Sequence, residues 1–477
     1  MKNIIEIIKK KWLRDTFLTA LLICIIFAMY FLINYAVKKI NVKDIDLTSN
    51  KIYSISEQTK TKLASLDKDV QIQLLNLSGA LYIQDFANQY KQLNSHINVT
   101  RIDDLNSRPE IMEKYDLTSQ DSLILISSTY GETQLYISDL FTYDYETNKR
   151  IDKTEEKITN AIIQVTVDER PKVYFLIGHN AYDDSFFQLV KEDIKAEANE
   201  VENLNLLKTE RIPEDCNCLV ITALKTDLTE IEKERIIQYA NNGGKILLLA
   251  EPEFEETEKP NYNAILDLYG FRIPKGILLE QDSNKMIYGY PQFIISDIQD
   301  VINQNVKMNM EICAMYTGKI NFIDQEQLKN KGIEYRTIAK TSDSTFLRKN
   351  LNITSDSMTG DDEKSPESII GALVTRKIDE EKTSEMIVYS NCVFATNQPI
   401  ANIGYANRLM NNQDVLINSV AYLTNRTDTI TVRKNIDSVT YTVTAAQHNI
   451  IVAVIFGVPI IIIIAGIIVW QIRRRKK

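Results

Sequence analysis

Cysteine is scarce in this chain. There are five, with Cys24 inside a long apolar run and only Cys216, Cys218, Cys313 and Cys392 left for everything else. So few imply no disulfide framework, and no Cys-x-x-Cys occurs anywhere, so dithiol redox chemistry has no motif to work with. Histidine is scarcer still: His96, His179 and His448 are the whole supply of imidazole bases. The phosphate cradle Gly-x-x-x-x-Gly-Lys-[Ser/Thr] is missing. At Gly244-Lys245 and Gly318-Lys319 the first glycine is replaced by Tyr239 and Cys313, and Ile246 and Ile320 follow the lysines, which excludes ATP hydrolysis by that route. Positive charge is lacking where a nucleic-acid binder would need it. The formal charge is -9, with +3 over 1–37 and +5 over 471–477, so the residues between carry about -17. That balance argues against nucleic acid and against lying flat on an anionic bilayer.

Two long uncharged runs are present instead. Residues 450–470 contain no charge and lead directly into Arg473, Arg474, Arg475, Lys476 and Lys477. A helix of that length matches a hydrocarbon core of roughly 30 Å, and Pro459 is tolerable within a membrane helix. Residues 17–37 form a second run, preceded by Lys2, Lys9, Lys10, Lys11 and Arg14. The run is long for a signal peptide and has no small-x-small cleavage site after it, so it reads as an uncleaved anchor. Basic residues beside a span stay cytoplasmic, which places both termini inside and the intervening residues outside a cell membrane. The expected organisation is a cytoplasmic N-terminus (1–16), a first span (17–37), a membrane-proximal segment with a first α/β domain (38–168), a second α/β domain (169–434), a linker (435–449), a second span (450–470) and a basic cytoplasmic tail (471–477).

Within the expected ectodomain, Ser56 reads as the N-cap of a helix, with Thr59 where a capping box would want Glu or Gln. Strands at 70–75, 97–102, 122–127 and 133–138 interleave with helices at 81–93, after Pro109, and at 153–167. That is the order of a thioredoxin-like domain, here without redox cysteines. Beyond Arg170-Pro171 the strands at 172–177, 201–206, 218–223 and 246–250 are unbroken apolar runs alternating with helices. This pattern predicts a flavodoxin-like or Rossmann-like parallel sheet covered on both faces. Residues 261–368 give a weaker signal, with a polar stretch at 341–367 that reads as a mobile loop; strands at 369–376 and 385–389, a helix at 413–423 and a last strand at 429–433 complete the sheet. Gly178, His179 and Asn180 follow the carboxyl end of a parallel strand, where open α/β sheets place ligands, and are the ligand- or partner-contact candidates. No strand-to-helix elbow offers His179 a Ser or Cys nucleophile. The acidic groups 251–256 and 361–363 lack the spacing and turn glycine of a calcium loop and read as solvated charge.

The run Asp46-Leu47-Thr48, with Lys51, Tyr53, Ser56 and Thr59, resembles the opening motif of the GldG family, gliding-motility type auxiliary subunits of ABC transporters. The likeness continues through 173–179, Leu228-Thr229-Glu230, 243–252, 385–394, 414–423 and 430–433, in the same order and spacing. It departs from the family at Asn180-Ala181-Tyr182, which stand before Asp183 where an acidic residue usually follows Gly-His, and at Tyr422, where tryptophan is usual. The resemblance implies a GIFT-type α/β domain and, as partners, an ABC permease with a separate ATP-binding subunit. The resulting expectation is a non-enzymatic, bilayer-anchored accessory subunit without cofactor or metal, gathering substrate or gating over the permease and capable of homo-oligomerising within the complex. The alternatives are an anchored amidotransferase-like hydrolase using His179, and a purely structural tether.

Overall fold

The computed structural model describes residues 54–77, 81–144, 149–179, 182–252, 258–298, 310–400 and 404–426, together with scattered residues of the two terminal stretches. The chain divides into two compact units, Ile55–Ser438 and a second made of Met1–Ser54 with Val439–Lys477. In the second unit the described residues other than Ser54, among them Leu21, Phe31, Phe456 and Trp470, are helical and exposed. Among the described residues no helix is long and apolar enough to cross a membrane. Both expected spans, 17–37 and 450–470, fall largely outside those residues.

The larger unit is mixed α/β. Its first sheet has the order Ile97–Ile102, Val70–Leu75, Leu123–Ser127, Glu132–Tyr136. The first pair is parallel and the other two are antiparallel. The helices Leu81–Leu93 and Thr154–Thr166 are where the sequence pattern places them. The strand expected to reach residue 138 stops at Tyr136 in a 3-10 turn, after which Phe141–Asp144 and Lys149–Asp152 form a hairpin that the periodicity does not announce.

Helix Glu57–Ala64 starts at Ser56, whose hydroxyl accepts from the Thr59 amide at 3.3 Å. The glutamate that a capping box would supply from within the helix comes instead from 99 positions away: Glu155 Oε1 accepts from the Ser56 amide at 2.8 Å. The same oxygen accepts from the Thr59 hydroxyl at 2.7 Å. A long-range contact thus does the work of a local motif.

The second sheet has seven strands in the order Ile333–Lys340, Ile369–Lys377, Thr383–Tyr389, Lys245–Leu249, Cys216–Ile221, Lys172–Leu176, Glu200–Leu204. Five adjacent strands, from Thr383–Tyr389 to Glu200–Leu204, pair in parallel, while Ile369–Lys377 alone is reversed and antiparallel to both of its neighbours, so the sheet is mixed rather than wholly parallel. The unbroken apolar runs are explained by two cores, one on each face. Val173, Phe175, Cys218, Val220, Leu247 and Leu249 point into one, while Tyr174, Leu176, Leu219, Ile221, Ile246 and Leu248 point into the other. Period-two alternation across a sheet buried on both sides requires an apolar residue at every position, and each buried side chain contributes about 1.5–3 kcal/mol.

The crossover from Lys245–Leu249 to Thr383–Tyr389 carries its own small sheets. One joins Ile277–Leu279, Phe346–Arg348 and Glu363–Lys364; another joins Phe293–Asp297 and Glu311–Met315. The polar stretch 341–367, expected to be a mobile loop, is folded around Arg348. Its guanidinium donates to both oxygens of Asp362, at 3.1 and 2.7 Å, and to the Ser355 and Ser357 carbonyls. The Asp362 side chain is 1% exposed, so the reading of 361–363 as solvated charge fails for its central residue. A bidentate guanidinium–carboxylate pair keeps such a carboxylate ionised when buried.

Candidate functional site

Numbered by position in the chain, the five parallel strands lie in the spatial order 2-1-3-4-5, with Lys172–Leu176 first and Thr383–Tyr389 fifth. The direction of strand addition reverses between Lys172–Leu176 and Cys216–Ile221, and ligands of open α/β sheets bind outside the carboxyl ends at such a reversal. Gly178 and His179 stand there. Gly178 has φ 115° and His179 has φ 56°; the first suits glycine and the second is the left-handed region that histidine visits more readily than bulky apolar residues. Asn180 lies outside the described residues, as do Asp46, Leu47, Thr48, Lys51 and Tyr53. Of the motif residues proper, Ser56 is described, and it belongs to the Glu155 contact of the first sheet rather than to this site.

The His179 turn reaches across to the loop after strand Cys216–Ile221. Its carbonyl accepts from the Lys225 and Thr226 amides at 3.1 and 3.0 Å. Its imidazole Nδ1 faces the Asp227 carbonyl at 3.0 Å, and Nε2 faces Glu232 Oε1 at 2.8 Å. The side chain is 8% exposed and that of Glu232 1%. Both ring nitrogens are thus engaged by oxygens of the fold itself.

Glu232 is also the third residue of helix Glu230–Asn241. Its other oxygen accepts from the Thr229 amide at 2.9 Å and the Thr229 hydroxyl at 2.7 Å, a reciprocal capping box. Burial alone would raise this carboxyl, but the hydrogen bonds from Thr229 and His179 outweigh it and hold it below the ordinary glutamate value. Asp227 extends the same knot, its carboxylate accepting from the Asn261 and Tyr262 amides at 3.0 and 2.9 Å in the first turn of helix Pro260–Leu268. The segment 225–232 therefore caps the N-termini of two helices and staples the first strand's turn. Thr229-x-x-Glu232 is a readable helix start, whereas the His179 contact and the role of Asp227 depend on loops 34 to 53 positions apart.

Next to this knot the Tyr182 hydroxyl donates to Glu251, and its ring meets Phe186 and Phe187 edge-on at 5.7 and 6.3 Å. Burial, then the bond to Glu251, pushes the phenol well above its usual range. Cys392 is fully buried, and burial likewise raises its thiol. Burial pushes Cys216 up to about 11 and Cys313 up to about 12. Such thiols stay protonated and unreactive at neutral pH. Among the described residues, no group of three or more His, Cys, Asp or Glu is placed to hold a metal ion.

Among the described residues, two small cavities lie away from His179. A cavity of about 210 Å³ is lined by Lys285, Asp297, Lys340 and Glu367, and one of about 190 Å³ by Tyr239, Gly243, Gly244, Lys245 and Asn425 at the opposite, amino end of the strands. Both fall below the roughly 300–1,000 Å³ of typical ligand pockets.

The geometry defines a mixed α/β unit whose switch-point turn is held by Asp227 and Glu232 through His179. The chain belongs to the family described as "ABC-type uncharacterized transport system", whose profile matches residues 170–419; it is thus an auxiliary protein of an ABC-type transport system. No curated protein matches it in sequence. Among solved structures, the N-terminal domain of mmIFT52 is similar at 13% identity and TM-score 0.39, over 53% of this chain and 97% of that one. A thua-like protein from Parabacteroides merdae ATCC 43184 is similar at 10% identity and TM-score 0.32, over 54% and 90%. The exo-beta-1,4-mannosidase Op5Man5 from Opitutaceae bacterium strain TAV5 is similar at 10% identity and TM-score 0.29, over 75% and 51%.

Proposed function

We propose that this protein is a non-enzymatic accessory subunit of GldG type, anchored by spans at 17–37 and 450–470, whose head stands outside the cell membrane over an ABC permease served by a separate ATP-binding subunit. Its work is to gather substrate for the permease or to gate it. The observation carrying this reading is the family membership across 170–419. The 2-1-3-4-5 order of the parallel strands supports a flavodoxin-like second domain, and the four-stranded first sheet with its helices, apart from the inserted hairpin Phe141–Asp144/Lys149–Asp152, supports a thioredoxin-like first domain. A head with no ATP cradle and with its switch point filled by Glu232 and His179 acts through contacts rather than through bond-making of its own. Affinity purification of the tagged chain from detergent-solubilised membranes tests the reading. Co-recovery of a multi-span permease and an ATP-binding subunit is the expected result; recovery of the chain alone favours a plain tether. Protease added to sealed cells should cut the head, and a head protected inside would refute the topology.

A further inference from the structure

Helix Glu57–Ala64 opens the larger unit, and it is fastened at both ends to helix Thr154–Thr166, the last element before the seven-stranded sheet. At one end Glu155 Oε1 accepts from the Ser56 amide at 2.8 Å and the Thr59 hydroxyl at 2.7 Å, and the Thr59 and Thr159 hydroxyls stand 3.4 Å apart. At the other, the Lys68 ammonium donates to the Thr166 carbonyl at 2.9 Å and to Asp168. Thr59 and Glu155 are both buried. A carboxylate in such a place holds its donors in a fixed geometry, because losing one leaves a buried charge short of a bond.

The other end of the unit is fastened in the same manner to helix Gln188–Ala196. The Arg408 guanidinium donates to both oxygens of Asp193, at 2.7 and 3.2 Å. Arg426 donates to the Glu197 and Ala198 carbonyls at 3.3 and 2.8 Å, and a cation suits the carboxyl end of a helix. Ile417 and Val420 of helix Asn412–Leu423 share a core with Val190 and Ile194. Helices Thr154–Thr166 and Gln188–Ala196 in turn meet each other. Segments 56–68 and 408–426 are thus joined through a pair of touching helices, by ties that span 96 to 229 positions.

We infer that this helix pair is a conformational relay: loosening the unit at Ser56 loosens it at Arg426, and the reverse, while the crossover insertion stays as it was. The inference concerns this unit alone and stands whether or not its ends continue into membrane spans. Coupling between two sites is reciprocal, so it can be read from both directions. The test is hydrogen exchange on the full-length chain in detergent. Glu155→Ala should speed exchange at the Ser56 amide and also at the Ala198 and Arg426 amides, which donate to Lys195 and Ala421, by about fivefold or more, the lower end of ordinary couplings. Arg426→Ala should speed exchange at Ala198 and, to a similar degree, at Ser56. The amides of the strand pair Ile277–Leu279 and Phe346–Arg348 should keep the parent rate in both variants. Glu155→Gln retains an acceptor for the Ser56 amide and should return both ends together toward the parent rate. Arg426 is only partly buried, so its variant carries the test should Glu155→Ala not fold. Acceleration confined to the substituted end overturns the relay. Equal acceleration in the insertion, the mark of a general loss of stability, overturns it too, as does a Glu155→Gln variant that restores one end without the other.

Discussion

Replacing Glu232 with alanine asks whether the His179 knot is a structural lock. The substitution strips the Thr229 amide and hydroxyl of their acceptor at 2.9 and 2.7 Å and leaves His179 Nε2 facing nothing at 2.8 Å. A lost cap costs about 1 kcal/mol, and a buried hydrogen bond to a charged group about 1.5–3 kcal/mol. The expected loss is therefore about 3 kcal/mol, a large part of the 5–15 kcal/mol typical of a folded domain. Glu232→Gln keeps the shape and one acceptor and should cost about half as much. The pH dependence has a definite sign. The Glu232 carboxyl is lowered on folding, so its contribution is present above the unfolded glutamate value of about 4.3 and is lost as pH falls through the lower folded value; parent and Glu232→Gln should converge in acid. Trp12 and Trp470, the only tryptophans, lie outside the head, so tryptophan fluorescence would miss the effect. Hydrogen exchange over 225–241 reads it directly, and about 3 kcal/mol corresponds to roughly 100-fold faster local opening. Unchanged protection in Glu232→Ala would refute the lock and return His179 to candidacy as a working base.

Glu155→Ala should cost about 2–3 kcal/mol and deprotect the Ser56 amide in exchange, because one carboxylate oxygen serves both Ser56 and Thr59. Asp362 is held at about 2 by the Arg348 hydrogen bonds. Its contribution is full above the unfolded value of about 3.9 and disappears as pH falls through 2; with part of the field screened it is worth about 1–2 kcal/mol, and an acid titration of Asp362→Asn against the parent should lose that difference near pH 2. Gly244→Ala would put a Cβ 2.4 Å from the Tyr239 ring and 2.6 Å from its carbonyl oxygen, an overpacking of about 1–3 kcal/mol visible in thermal unfolding.

Periodicity made the regular elements legible. Lys172–Leu176, Cys216–Ile221 and Lys245–Leu249 are apolar at nearly every position because each faces two cores, and no other arrangement needs such runs. The reversed strand Ile369–Lys377 carries the same kind of run, since burial on both faces does not depend on strand direction, so its antiparallel pairing was hidden. The folding of 341–367 was hidden for another reason. Beside the buried Phe346 and Leu347 it is held by Arg348 meeting Asp362 across 14 positions, a contact that leaves no periodic signal. At the site, glycine and histidine at a strand end marked the right place, but what they meet there, Asp227 and Glu232, belongs to a helix start more than forty residues on.

Three separate segments close the carboxyl edge of the sheet. The loop 225–232 holds it through His179. The crossover insertion holds it at Gly318, whose amide donates to the Ser390 carbonyl at 3.0 Å and where a Cβ would meet Pro252 at 3.0 Å. The segment after the fifth parallel strand holds it at Asn397, whose amide donates to the Phe186 carbonyl at 2.8 Å. Displacing His179 to open the switch point would leave the Oε1 of Glu232 without its histidine partner in a buried place, at about 1–3 kcal/mol. A ligand would have to return that cost before gaining affinity.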